Sequence, residues 1–159
     1  MNNIFEIKKF YIFIFVFSLL SLLIALYIEF YLGHSPCKLC VYQRIPYLLT
    51  IFITLLGINY YKNLVWMYLL LITFFSSLLL SGYHFGIEQE IFSEFSGCTA
   101  NSVNITDKNE LLKLLNSEVN SCKNVDFRIL GLSLATINFL LSFLIFILIF
   151  KVIKNEKNK

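Results

Sequence analysis

Charge is scarce in this chain. Asp, Glu, Lys and Arg make up 14% of its 159 residues, against 58% hydrophobic ones. The shortage is also uneven. No charged residue falls between Phe10 and Ile28, Ile45 and Tyr61, Leu64 and Tyr83, or Ile129 and Phe150. A water-soluble domain needs polar groups to cover its surface, so this composition excludes one and makes lipid the solvent. A helix rising about 1.5 Å per residue crosses a hydrocarbon core of roughly 30 Å in about 20 residues, close to the length of each run. The pattern predicts an all-α membrane protein, a four-transmembrane-helix bundle. Its spans fall at about 10–29, 43–61, 64–83 and 129–150, in one membrane domain over 1–159. Two loops, at about 30–42 and 84–128, join them on one side.

A small-x-small cleavage site is missing after the first run, which is also longer than the apolar core of a secretory signal. It is read as a retained span, although Lys8 and Lys9 precede it. The charges then orient the bundle. Lys8 and Lys9 lie in the N-tail, Lys151, Lys154, Lys157 and Lys159 in the C-tail, and Lys62 in the short turn between spans two and three. The loop from Phe85 to Arg128 holds seven acidic residues against four basic ones. The positive-inside rule puts both termini in the cytoplasm and both longer loops outside. The net charge of +3 thus reports topology, not nucleic-acid binding.

Cysteine is absent from the middle of every span, although free cysteine is common in apolar interiors. All four lie in the outward loops: Cys37 and Cys40 in the first, Cys98 and Cys122 in the second. That is the oxidising side, where disulfides form and persist. Four cysteines allow three pairings, and local spacing favours Cys37 with Cys40 and Cys98 with Cys122. The second pair closes a loop long enough to act as a staple. A bond across two intervening residues removes little chain entropy, so the CxxC is better suited to redox cycling than to stapling. A second CxxC is missing, so the paired-knuckle spacing of a zinc ribbon is not met; no metal is expected, even with His34 and His84 as possible further ligands.

Pro36 disfavours helix at the residue before it, and a helix starting just after it puts both thiols in its first turn. Amides and the helix dipole there favour a thiolate. Lys38 adds positive charge. Arg44, four residues after Cys40, falls on the same helical face with no acidic residue near it in sequence. Such a cation fits a thiolate, a ligand oxygen or a lipid phosphate, or it snorkels to headgroups. Pro46 is tolerable only early in a helix or at a kink.

These residues carry a resemblance. "CKLCVYQRIP" between spans one and two resembles the CxxC-x-x-x-R segment of the DsbB family, the quinone-reducing thiol oxidases of bacterial inner membranes. "SGYHFGIEQ" at the end of span three and "DFRILGLSLAT" entering span four resemble the family's corresponding segments, and the likeness covers nearly the whole chain. It implies that Cys98 and Cys122 accept electrons from a periplasmic DsbA-like thiol oxidase, Cys98 forming the mixed disulfide. It implies that Cys37 and Cys40 reoxidise that pair, and that Cys40 passes electrons to a quinone, ubiquinone or menaquinone. Arg44 and His84 would be the quinone-side residues. A quinone dissolves in lipid and its head must meet a thiolate at the lipid–water boundary, where span two begins. Arg44 could stabilise developing negative charge, and His84 could bond a quinone oxygen or relay a proton. His34 reads as a plain loop residue.

In the long loop, Leu111, Leu112, Leu114, Leu115 and Val119 recur at helical spacing after Asp107, a cap candidate with Glu110 as its capping-box partner. A helix there would lie on the membrane surface and tether the loop. Asn104-Ile105-Thr106 matches a glycosylation sequon by chance. Beside the thiol oxidase stand a paralogue dedicated to one partner and a non-catalytic membrane module with structural disulfides or a metal site. Arg44 beside the CxxC argues against the module, since a staple has no need of it.

Overall fold

The computed structural model describes residues 2–34, 36–93, 128–129 and 131–158. Cys98, Cys122, the helix expected after Asp107 and the sequon at Asn104 lie outside the described residues. The elements are α1 (Asn2–Phe30), α2 (Lys38–Tyr42), α3 (Arg44–Asn59), α4 (Val65–Glu88), a two-residue hairpin of β1 (Arg128–Ile129) and β2 (Leu132–Ser133), and α5 (Leu134–Lys157). Among the described residues, four stretches are long and apolar enough to cross a membrane: Glu6–Phe30, Lys38–Asn59, Val65–Glu88 and Leu134–Lys157. The protein is a multi-pass membrane protein built as a four-helix bundle.

Three boundaries differ from those the uncharged runs suggest, each for a local reason. The second span starts at Lys38 but breaks at Gln43 between α2 and α3. Pro46 has no N–H, so the Tyr42 carbonyl loses the partner that would carry one helix into the next. The third span runs past Tyr83 to Glu88, because His84 and Glu88 turn inward to polar partners instead of ending the helix. The last span begins at Leu134, not Ile129. Gly131, at φ 82°, makes the hairpin turn, and the Ser133 hydroxyl caps α5 by accepting the Thr136 N–H at 3.1 Å. At its far end α5 runs on to Lys157, with Lys154 and Lys157 in its last turn, where cations suit the helix dipole.

Helix α1 packs on α3, α3 on α4, and α4 on α5. In α1 the buried residues Tyr11, Ile14, Ser18 and Leu22 recur at three- and four-residue steps and form one stripe. Ile12, Phe13, Leu20 and Leu23 point the other way, as lipid requires. One core forms where Tyr11 and Ile14 meet Met67, Leu70 and Phe74 of α4 and Ile145, Ile149 and Ile153 of α5. Small polar residues line the closest approaches: Thr50, Thr54, Ser77, Ser81 and Ser142 are all buried. Most of their hydroxyls bond carbonyls one turn back, as Thr54 does to Thr50 at 2.8 Å. Ser77 and Ser142 instead bond each other across α4 and α5 at 3.0 Å. Cys37 and Cys40 lie at the other end, in a second cluster of Cys37, Leu39 and Ile87 with Cys40 and Tyr83 against it.

Candidate active site

Pro36 leads into an extended Cys37 (φ −69°, ψ 165°), which is the N-cap of α2. One helical turn brings Cys40 back over it. The Cys37 sulfur accepts the Cys40 N–H at 3.4 Å, and the two sulfurs lie 3.1 Å apart as a dithiol. Cys37 is buried and Cys40 half-buried. His84, delivered by α4, sets its Nε2 3.7 Å from the Cys37 sulfur.

A polar chain continues from His84 into the bundle. Gln43, at the break between α2 and α3, places its Nε2 3.0 Å from His84 Nδ1. Asn138 of α5 donates from Nδ2 to Gln43 Oε1 at 2.8 Å, and the Tyr47 hydroxyl donates to Asn138 Oδ1. On the other side of the ring, Glu88 Oε1 lies 3.7 Å from His84 Nε2, while the Ser133 hydroxyl donates to Glu88 Oε2. Three spanning segments and the α5 cap thus converge on one imidazole.

The expectation that the helix start favours a thiolate needs correction at Cys37. Its thiol is pushed up to about 12, first by its hydrogen bond to Cys40 and then by burial; the His84 contact pulls the other way. A five-residue helix supplies little dipole to oppose this. Cys37 therefore keeps its proton at neutral pH and offers it to the Cys40 sulfur. Because only the thiolate alkylates, the rate for Cys37 should rise about tenfold per pH unit from 8 to 10, where an ordinary thiol of pKa ~8.5 levels off. Peptide mapping after iodoacetamide pulses across that range reads this out, and a plateau by pH 9 would contradict it.

Arg44 also differs from its sequence reading. The guanidinium has an acidic partner after all: it makes an ion pair with Glu29 at the end of α1, fifteen residues back in sequence. The antiparallel packing of α1 on α3 brings the two together. Cys37, Cys40 and His84, by contrast, each present one ligand atom within 4.8 Å of the others. That sulfur and nitrogen set could hold a thiophilic cation, an arrangement invisible in the cysteine spacing alone.

Comparison with known proteins decides the class. The profile of Disulfide bond formation protein DsbB matches residues 7–152, nearly the whole chain. The chain belongs to the DsbB family. It is a membrane thiol oxidoreductase of the disulfide-forming kind. An uncharacterized protein of Rickettsia prowazekii (strain Madrid E) is 31% identical over 131 residues, covering 79% of this chain and 75% of its own length.

Within this DsbB-family bundle, sequence reading found Cys37, Cys40 and His84, which do come together, and Arg44, whose ion pair lies toward α1. It passed over Gln43, Glu88, Ser133, Asn138 and Glu29. One signal was available: Asn138 is a lone amide in an apolar span, and a polar side chain there is a functional candidate by default.

Proposed function

We propose that the chain reoxidises a periplasmic DsbA-like thiol oxidase and passes the electrons to a membrane quinone. Cys98 and Cys122 take the electrons from the soluble partner, Cys98 through a mixed disulfide. The Cys37–Cys40 disulfide then reoxidises the loop pair and becomes the dithiol. Its return to the disulfide releases two electrons and two protons, and a quinone of the ubiquinone or menaquinone type accepts both.

The observation that carries this reading is the dithiol beside His84 at the end of a lipid-embedded bundle. The surroundings suit an apolar acceptor with a polar head. Val41, Tyr42 and Ile45 are exposed on the outside of the second span, next to Cys40 and Arg44. Cys40, the less buried sulfur and the acceptor of the Cys37 proton, is the better electron donor of the two. Arg44 is a permanent cation at the same level, oriented by Glu29. A structural staple would need neither the buried histidine nor the cation.

The test is turnover. Purified protein is mixed with a reduced thioredoxin-fold partner and a soluble quinone, and quinone absorbance is followed. One quinone should be reduced per partner disulfide formed. Arg44→Ala should raise the apparent KM for quinone about tenfold or more, the scale of a hydrogen bond to a charged group. Absence of quinone reduction with both quinone types would overturn the reading. A fall in protein level alone for Arg44→Ala would reduce Arg44 to a structural partner of Glu29.

A further inference from the structure

The chain of amides has a direction, and that direction reaches His84. The Tyr47 hydroxyl donates to Asn138 Oδ1, which leaves Asn138 Nδ2 to donate to Gln43 Oε1. Ser142 also sits at Asn138 Oδ1, at 3.4 Å, on the same accepting side. Gln43 is then committed to present its own N–H to His84 Nδ1. A ring nitrogen that accepts a hydrogen bond carries no proton. In the neutral ring the proton must therefore sit on Nε2, the nitrogen that faces both the Cys37 sulfur and Glu88.

We propose that Gln43 and Asn138 are positioning residues that fix His84 as the Nε2–H tautomer, so that it meets Cys37 as a hydrogen-bond donor and not as a base. An Nε2 that already carries a proton cannot remove one from the Cys37 thiol. It can donate to the sulfur once a thiolate forms there, when Cys37 has to exchange with another disulfide. Glu88, held through its other oxygen by Ser133, keeps a carboxylate on the same Nε2 and supports that orientation of the ring. Neither Gln43 nor Asn138 has a sulfur contact in this chain of bonds; each acts through the next group. The tautomer stands on hydrogen bonding alone, and only its consequence for thiol exchange rests on the functional reading above.

The polarity of the chain can be inverted without changing its shape. In Asn138→Asp both oxygens accept. Gln43 must then turn its N–H toward position 138 and its carbonyl toward His84, so the proton moves to Nδ1. Gln43→Glu produces the same inversion one link closer. The protein has two histidines, so His34→Gln in every sample leaves His84 as the sole imidazole. With a purification tag free of histidine and uniform ¹⁵N-histidine labelling, the ¹⁵N shifts of the reduced full-length protein at pH 8 read the tautomer directly.

The expected result is Nε2–H in the parent and Nδ1–H in both acidic variants. Alkylation of Cys37 should slow about tenfold in both, the lower end of what a hydrogen bond to a charged group contributes. A parent with its proton on Nδ1 would overturn the proposal, as would an Asn138→Asp protein that keeps Nε2–H. If Asn138→Asp does not fold, Gln43→Glu decides by the same reading. The NMR result needs no turnover, so a failed quinone assay would remove the proposed function and leave the tautomer assignment standing.

Discussion

Cys40→Ala is expected to abolish quinone reduction, a loss on the order of 10³-fold or more, as when a nucleophile is removed from a catalytic unit. The asymmetry of the pair is the reason. Cys37 is buried, holds its proton and donates toward Cys40, whereas Cys40 is more open and lies beside the lipid-facing end of the second span. Removing Cys40 leaves a sulfur that can still exchange with another disulfide but has no neighbour to close upon. The variant should therefore accumulate a mixed disulfide through Cys37, visible on a non-reducing gel and mapped by mass spectrometry. In the fully reduced variant Cys37 is also released from the main cause of its raised pKa, so it should alkylate faster at neutral pH than in the reduced parent. Full quinone turnover in Cys40→Ala would end the assignment of Cys40 as electron donor.

Gly57→Val should markedly destabilise the bundle. A Cβ at Gly57 would lie 2.5 Å from the ring of Tyr11, well inside contact distance. That ring has no accessible surface and is enclosed by the core formed with α4 and α5, so it has nowhere to swing. Overpacking of this kind costs about 1–3 kcal/mol, and a branched side chain takes the upper end. For a chain of this size that corresponds to a fall of roughly 6–12 °C in the unfolding midpoint in detergent. Tyr11→Leu in the same protein should return part of the loss by making room, which a general dislike of valine at that position would not. An unchanged midpoint in Gly57→Val would show that α1 and α3 do not pack through this glycine.

The reach of the sequence can be judged from these residues. Four uncharged runs give four spans because the bilayer imposes one length on every helix. The CxxC was legible because two thiols three residues apart carry a specific chemistry, and Arg44 because a permanent cation is costly near lipid. The partners of those groups were not. Gln43, Glu88 and Ser133 read as ordinary residues at helix ends, and their bonds come from other helices, across 41, 45 and 95 positions of chain. Glu29 was hidden in the same way behind fifteen residues. Periodicity says which face of a helix is inside; it does not say which helix that face will meet. The break at Gln43 is intermediate: Pro46 predicts a disturbance, but only the fold shows that the Gln43 side-chain amide at the break turns to His84.

The Ser133–Glu88 bond, described above as support for the imidazole, also joins the two roots of the long loop at the edge of the dithiol site. Cys98 lies ten residues beyond one root and Cys122 eleven before the other. At no more than about 3.6 Å per residue, neither sulfur can stray further than roughly 40 Å from its anchor. The tether therefore holds the loop cysteines at an effective concentration on the order of millimolar around their anchors, whatever the density of the protein in the membrane. On the function proposed above, exchange between the two pairs would be a first-order event within one molecule, and only the encounters with the soluble partner and with the acceptor would depend on how much of either is present.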